Sequence, residues 1–146
     1  MGIRRMDNVG IVVDDLDAAV AFFVELGMGL EGKARVEGPV ADGCTGLDGV
    51  SCDIAMLRTP DGHGRLELSR YLSPGTIVTE PRDKPHNTLG THRVMFTVDD
   101  VADTLARLRP HGASLVGEIA RYEDSYLLCY LRGPGGIIVG LAEELR

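Results

Sequence analysis

The sequence predicts an α+β fold made of two βαβββ modules. The stretch Val13–Leu16, which reads Val-Asp-Asp-Leu, returns as Val98–Val101, which reads Val-Asp-Asp-Val, 85 residues further on. Each copy closes an alternating apolar run, as in a half-buried strand, and precedes residues with the spacing of an amphipathic helix. Because this strand–helix unit recurs at more than half the chain length, we infer that one module was duplicated.

In the first module, apolar residues alternate in the expected strands and recur every three to four residues in the expected helix. Asp14 or Asp15 can cap that helix at its start, and Gly27 can end it. The turn between the last two strands, Thr59–Gly62, contains a proline and a glycine, as turns commonly do. The expected elements are strand one at Asp7–Val13, the helix at Leu16–Leu26, strand two at Gly29–Glu37, a loop at Pro39–Gly49, strand three at Val50–Arg58 and strand four at Arg65–Tyr71.

The second module repeats this order with a shorter helix. Pro110 and Gly112 end the helix, and Gly133–Gly136 mirrors the turn of the first module. The expected elements are strand five at Thr91–Val98, the helix at Val101–Arg109, strand six at Ser114–Tyr122, strand seven at Ser125–Leu131 and strand eight at Ile137–Glu143.

A length of 146 residues fits one domain, which we divide into two repeats at residues 4–72 and 90–146 and a proline-containing linker at residues 73–89. A four-stranded sheet with a helix on one face leaves its other face uncovered. We therefore expect the concave faces to enclose the pocket, either within one chain or between two subunits of a homodimer.

Composition excludes several classes of protein. The net charge of −7 and the sequence pI near 5.0 argue against a nucleic-acid partner. No apolar run approaches the roughly 18 residues that span a bilayer, and no secretory signal follows the first arginines. Cys44, Cys52 and Cys129 have no metal-binding or disulfide spacing, so we expect reduced thiols in a cytoplasmic protein.

The two modules resemble the vicinal oxygen chelate superfamily, also called the glyoxalase/bleomycin-resistance/dioxygenase group. The opening motif of that group is similar to DHVGIxVxDLxxAxxFYxxLG, and its closing turn and strand to DPDGxxIEL. These motifs stand here as Asp7–Leu16 with Ala18, Ala19, Phe22, Phe23, Leu26 and Gly27, and as Gly133–Leu141. The resemblance covers nearly the whole chain. It implies curved mixed sheets around a cavity, and it is nearest in character to the metal-free drug-binding members.

Enzymes of this superfamily hold one divalent metal with side chains from strands one, four, five and eight. Carried over by position, those places are Asn8, Glu67, His92 and Gly140. Glu67 and His92 keep ligand chemistry, but Asn8 stands where His or Gln is usual and Gly140 where Glu is usual. A catalytic metal usually takes about three protein ligands, so this set is poor for a transition metal. We expect no metal; if one binds, Glu67 and His92 are the predicted ligands.

Tyrosines provide a second candidate feature of the cavity. By the two-residue period of a strand, Tyr126, Leu128 and Tyr130 share one face. They either pack across strands with their hydroxyls in solvent or form a wall that stacks a flat ligand. We predict no catalytic residue. The predicted ligand-binding residues are Asn8, Glu67, His92, Tyr126, Tyr130 and Gly140.

The remaining histidines are weaker candidates. His63 in the first turn and His86 in the linker are expected to be exposed, and His111 to sit near the end of the second helix as a cation at its dipole.

Three functions remain open after the sequence is considered. The leading hypothesis is a metal-free protein that sequesters a bulky hydrophobic or aromatic natural product, as in antibiotic resistance. The first alternative is a lyase, isomerase or dioxygenase with a reduced metal site at Asn8, Glu67 and His92. The second is a metal-independent reaction with His92 or Glu67 as general base.

Overall fold

The computed structural model of the chain describes residues 2–145, which form two compact units. The first unit ends at Ile77 and the second begins at Val78. Each unit has a mixed sheet and α-helical structure, which confirms the α+β class. The elements of the first unit are β1 (Val9–Val12), α1 (Leu16–Leu26), β2 (Gly29–Glu37), α2 (Pro39–Thr45), β3 (Ser51–Arg58) and β4 (Arg65–Ser73). Those of the second are β5 (Arg93–Thr97), α3 (Val101–Leu108), β6 (Ser114–Leu115), β7 (Ala120–Tyr122), β8 (Tyr126–Arg132) and β9 (Ile138–Glu144).

The two sheets have the same strand order. In the first unit it is β1-β4-β3-β2, and in the second it is β5-β9-β8-β6, with β7 also paired to β8. The first strand of each unit runs parallel to the last strand, and the other pairs are antiparallel. Equivalent topology in both units agrees with the duplication inferred from the repeated Val-Asp-Asp.

The repeated Val-Asp-Asp performs the same structural role twice. Its second aspartate is the N-cap in both units: Asp15 accepts a hydrogen bond from the Ala18 amide at 3.0 Å, and Asp100 accepts one from the Asp103 amide at 2.9 Å. Such caps satisfy amide groups that have no partner within the helix. In α3, the Val101 amide also donates to Glu143 Oε1 at 2.9 Å. The repeat therefore marks the start of each helix.

One face of each sheet packs on its helix and carries most of the core. In the first unit, β4 alternates the buried Leu66 and Leu68 with the half-buried Glu67, so the leucines face α1. In the second unit, Leu131, Val139 and Leu141 pack on the α3 side. We call the opposite face of each sheet its open face; in the first unit it contains Glu67, and in the second it contains Gly140.

Several expected elements differ from those observed. The predicted loop at Pro39–Gly49 contains α2, a seven-residue helix that begins at Pro39 and ends before Gly46. The loop was predicted from the glycines and aspartates of this segment, but proline is favoured in the first turn of a helix, and Pro39 starts this one. The predicted strand six is two short strands, β6 and β7, because the chain turns away between Leu115 and Ala120.

The segment interpreted as a linker has structure of its own. The Thr76 hydroxyl donates to the carbonyl of Tyr71 at 3.2 Å in the first unit. In the second unit, Arg132 Nη2 donates to the carbonyl of Lys84 at 2.6 Å, and Gly136 lies against Arg82. A Cβ on Gly136 would stand 2.8 Å from the Arg82 carbonyl oxygen, and its φ of +82° also disfavours other residues. Residues 78–86 are therefore fastened to the second sheet.

Candidate functional site

The first unit places Asn8 and Glu67 on the same side of its sheet. Glu67 pairs with Gly10 of β1 and Met56 of β3, and Asn8 lies two residues before Gly10, in phase with it. The two side chains are thus separated by about 7 Å along the strand direction. Both residues are half-buried.

Asn8 and Glu67 differ in their hydrogen bonds. The Asn8 amide donates to Asp7 Oδ2 at 2.9 Å, and Arg5 Nη2 donates to Asp7 Oδ1 at 3.2 Å. Both hydrogen bonds hold the pKa of the Asp7 carboxyl below its usual value, and the bond from Asn8 has the larger effect. Asn8 therefore orients Asp7, whereas Glu67 is a half-exposed carboxylate on the open face.

One end of the open face in the first unit is covered by α2. Ala41 of α2 packs with Val50 and Cys52, and Ile54 and Tyr71 pack against these three. Burial there raises the pKa of the Cys52 thiol, and the charges of Glu67 and Asp53 raise it further. Cys52 is therefore a small apolar core residue, as the sequence predicted.

In the second unit, the strand register corrects the position assigned to His92. Met95 pairs with Gly140 just as Gly10 pairs with Glu67, so Asn8 corresponds to Arg93 and not to His92. His92 is exposed, precedes β5 and falls one residue out of phase with Arg93 and Met95. The sequence hypothesis that paired Asn8 with His92 was wrong by one residue.

The space that a side chain at position 140 would need is already filled. An added Cβ on Gly140 would lie 2.7 Å from Met95 Cε and 3.1 Å from Tyr130 Cε1. Real Cβ atoms do not come so close to other heavy atoms, so a residue larger than glycine requires Met95 or Tyr130 to move. Met95 and Tyr130 thus occupy the space beside the position where the superfamily resemblance implies a glutamate.

Tyr130 is the centre of a cluster that the sequence did not reveal. The His86 ring meets the Tyr130 ring edge-on with centroids 4.5 Å apart, and the Arg93 guanidinium lies 5.4 Å from the Tyr130 centroid. Arg93 Nη1 and His86 Nε2 are 3.4 Å apart. His86 was expected to be exposed, but it is half-buried because residues 78–86 are held to the sheet. We call Arg93, His86, Tyr130 and Met95 the Arg93 cluster.

The tyrosines predicted to form a wall share the open face of the second unit. Tyr130 pairs with Gly140, Leu128 with Ala142 and Tyr126 with Glu144. Tyr126 lies about 13 Å along the strand from Tyr130, and its side of the strand also carries Tyr122 of β7. Tyr126 is 38% exposed and its ring is open to a ligand, whereas the ring of Tyr130 already contacts Arg93 and His86.

The donor set does not fit the divalent metal that the superfamily implies. In the second unit the two equivalent places hold Arg93 and Gly140, and Met95 and Tyr130 fill the space beside them. A guanidinium only donates hydrogen bonds and carries a positive charge, so it cannot coordinate a cation. Within residues 2–145, no group of three or more His, Cys, Asp or Glu side chains is placed to hold a metal ion.

The other predicted features are peripheral. His63 is exposed in the Thr59–Gly62 turn region, where its amide donates to Asp61 Oδ1 at 3.0 Å. His111 is exposed at the end of the turn that follows α3. In the described part of the chain, no helix is long and apolar enough to cross a membrane.

Known proteins share this architecture and part of the sequence. A glyoxalase family protein of known structure from Bacillus cereus is 55% identical, over 100% of this chain and 97% of that chain, with a TM-score of 0.94. The uncharacterized protein YwbC of Bacillus subtilis (strain 168) is 26% identical over 134 residues, which are 91% of this chain and 92% of that protein. The structure of TnmS3, an antibiotic binding protein from Streptomyces sp. CB03234, is 19% identical over 99% of this chain and 98% of that chain, with a TM-score of 0.60.

The family model of the Glyoxalase/Bleomycin resistance protein/Dioxygenase superfamily matches residues 7–130. That range contains both helix-capping repeats, Glu67 and the Arg93 cluster. The superfamily resemblance inferred from the opening and closing motifs is confirmed, and the chain belongs to the Glyoxalase/Bleomycin resistance protein/Dioxygenase superfamily.

Proposed function

We propose that this protein binds and sequesters a bulky aromatic or hydrophobic natural product without a metal ion, and that it protects its host from an antibiotic of this kind. The observation that carries the proposal is that Met95 and Tyr130 occupy the space beside position 140, with a guanidinium at position 93. These residues remove the metal donors of the second unit while leaving apolar and aromatic surface on its open face.

The open face of the second unit has the chemistry expected of such a binding surface. Met95 is 44% exposed and Tyr126 is 38% exposed, and Leu128 lies between the levels of Tyr126 and Tyr130. Ligand sites in proteins are mostly apolar and aromatic, with a few polar groups that fix orientation. TnmS3, which has the same fold, is an antibiotic binding protein, and this supports a binding role for the fold.

A direct test is binding of fused-ring aromatic compounds, followed by recovery of the ligand. The chain has no tryptophan, so the fluorescence of such a ligand can be followed without interference from that residue. We expect saturable binding, chemically unchanged ligand, and a loss of affinity of about 3- to 30-fold in Tyr126→Ala. Tyr126→Phe keeps the ring and should bind nearly as wild type. An altered product after incubation would contradict sequestration.

The half-exposed carboxylate of Glu67 favours a second candidate, a metal-dependent lyase, isomerase or dioxygenase that uses Glu67 and Asn8. Under this alternative, Glu67→Gln abolishes turnover of a substrate. Under sequestration, the same variant still binds and releases its ligand unchanged.

We extend the proposal to a cytoplasmic homodimer. An uncovered apolar sheet face is a liability in solution, and a second copy is one way to cover it. Cys44, Cys52 and Cys129 are all free thiols, as expected in a reducing compartment. Light scattering at micromolar concentration should give twice the chain mass of 15.7 kDa, and a monomeric mass would contradict the dimer.

A further inference from the structure

Arg93 carries a positive charge that the protein does not neutralise. Its side chain is exposed on the open face of the second unit, and its described contacts are the ring of Tyr130 and Nε2 of His86. Two other arginines of this unit do have carboxylate partners: Arg107 pairs with Asp103 and Arg121 with Asp124. In residues 2–145, no carboxylate lies within ion-pair distance of Arg93.

The contacts of Arg93 hold its guanidinium in one orientation. A guanidinium only donates, so the Nη1 group of Arg93, 3.4 Å from His86 Nε2, donates to that nitrogen in the His86 tautomer that leaves it unprotonated. The Tyr130 ring supports the same group at 5.4 Å by a cation–π contact. The Nε–Nη2 edge takes no part in either contact, and it is the edge that binds a carboxylate with two parallel hydrogen bonds.

The location of this edge connects it to the ligand surface. Arg93 and Met95 lie on the same side of β5, two residues apart, and Met95 contacts the Gly140 position beside Tyr130. Arg93 also stands at the position that corresponds to Asn8, which the superfamily uses for a metal ligand. A cationic side chain therefore stands at a position where the superfamily resemblance implies a metal ligand.

We propose that the Arg93 cluster is a subsite for a carboxylate, so that the sequestered ligand is an aromatic acid whose ring system lies on Met95 beside Tyr130. This inference rests on the proposed function and specifies its ligand class. His86 and Tyr130 are positioning residues, because they act on the ligand by holding the guanidinium of Arg93.

Matched pairs of fluorescent probes test the subsite: pyrene-1-carboxylate with pyrene-1-carboxamide, and anthracene-2-carboxylate with its amide. We expect wild-type protein to prefer each acid over its amide by about tenfold, the size of a partly exposed charged hydrogen-bond pair. Arg93→Met should lose this preference and keep its affinity for the amides. Arg93→Lys keeps the positive charge but lacks the planar guanidinium that forms two parallel hydrogen bonds. It should therefore retain only part of the preference for the acid.

Arg121→Met is the matched control, because Arg121 is paired with Asp124 and lies on the opposite side of its strand pair from Tyr126. It should keep the full acid preference. Equal binding of acids and amides by wild type, or an acid preference that survives Arg93→Met, would overturn the carboxylate subsite and leave sequestration standing. Failure of wild type to bind either member of any pair would overturn the proposed function itself.

Discussion

In the first unit Gly10 of β1 pairs with Glu67 of β4, and in the second unit Met95 of β5 pairs with Gly140 of β9. The large and small residues have exchanged strands between these two otherwise equivalent ladders. The first unit keeps a carboxylate on its open face, and the second has a thioether and a phenol in the corresponding space. One duplicated framework thus carries a potential metal donor in one copy and an apolar surface with a cation in the other.

The two units thus share their strand register but differ in the side chains of their open faces. Both units keep the same hydrogen bonds around the helix start: the Val13 amide donates to the Ser69 carbonyl and the Val98 amide to the Ala142 carbonyl, each at 2.8 Å. The framework is therefore preserved where the backbone requires it. The open faces differ in their side chains, and these differences leave the backbone hydrogen bonds between the strands unchanged.

The largest effect is expected from placing the glutamate of the first unit into the second. Gly140→Glu must displace the end of the Met95 side chain and crowd Tyr130, so we expect a loss of about 1–3 kcal/mol in the free energy of unfolding, measured in urea. Gly10→Ala is the control, because its added Cβ would lie 4.0 Å from the Glu67 carbonyl oxygen, an ordinary van der Waals contact.

The double variant Gly140→Glu with Met95→Ala separates crowding from charge. It should recover part of the stability lost in Gly140→Glu, because the closest atom to the new side chain, Met95 Cε at 2.7 Å, is gone. A Gly140→Glu protein as stable as wild type would mean that the second unit can accommodate the metal-binding glutamate after all.

Thiol labelling compares exposed and covered parts of the first unit. Cys44 of α2 is exposed, whereas Cys52 is 4% exposed beneath α2, and Cys129 of the second unit is 2% exposed. Burial also raises the pKa of the Cys52 and Cys129 thiols, which lowers their thiolate fraction. Iodoacetamide should modify Cys44 at least about 30-fold faster than the other two, measured by mass spectrometry of peptides. Equal rates at Cys44 and Cys52 would show that α2 does not cover the sheet.

The helix caps should give a smaller and unequal pair of effects. Asp15→Ala is expected to cost about 1 kcal/mol of unfolding free energy. Asp100→Ala should cost about half as much, since Glu143 still accepts from the Val101 amide at the start of α3. Urea unfolding of both variants, with Asp→Asn controls that keep a capping oxygen, measures the difference. A larger loss for Asp100→Ala would contradict the role assigned to Glu143.

The smallest expected effect is on the loss of folding stability at acidic pH. Hydrogen bonds hold the pKa values of three aspartates of the first unit below their ordinary value: from Asn8 to Asp7, from Arg35 to Asp53 and from Thr59 to Asp61. Because the folded-state pKa values are lowered, this stabilisation is present above about pH 4 and is lost as pH falls through the folded-state values. These carboxylates are exposed and screened by salt, so the change should be small.

A variant with these three aspartates changed to asparagine should therefore lose less stability than wild type between about pH 5 and pH 3. Urea unfolding at several pH values in low salt measures it. If the free energy of unfolding falls equally with pH in the variant and in wild type, other ionisable groups cause the loss of stability in acid.

Sequence patterns predicted most helices and strands well, because these patterns reflect the hydrogen bonding of the backbone and the burial of one face. The aspartate before each helix, the glycine that ends α1 and the alternation in β4 follow from capping and from burial on one face. The helix α2 was missed because the glycines and aspartates of its segment are read as loop residues, although Pro39 can start a helix.

The candidate site was predicted only in part, and the main error was the assignment of His92 as the equivalent of Asn8. The 85-residue offset found in the sequence pairs residue 8 with residue 93, whereas the position equivalent to Asn8 was assigned to His92, one residue earlier. Register in a strand decides which face a side chain joins, and a shift of one residue moves it to the other face. The contact of His86 with Tyr130 could not be predicted, because no periodicity governs the folding of residues 78–86.

The central claim is that the second unit contributes no donor to a metal site, so that ligand binding is independent of metal. Metal analysis of protein purified without chelator, combined with pyrene-1-carboxylate titrations before and after dialysis against EDTA, tests it most directly. We expect less than about 0.1 metal ion per chain and a dissociation constant that changes by less than about twofold, which is less than about 0.4 kcal/mol. One tightly bound metal per chain, lost in Glu67→Ala together with binding of the probe, would contradict it.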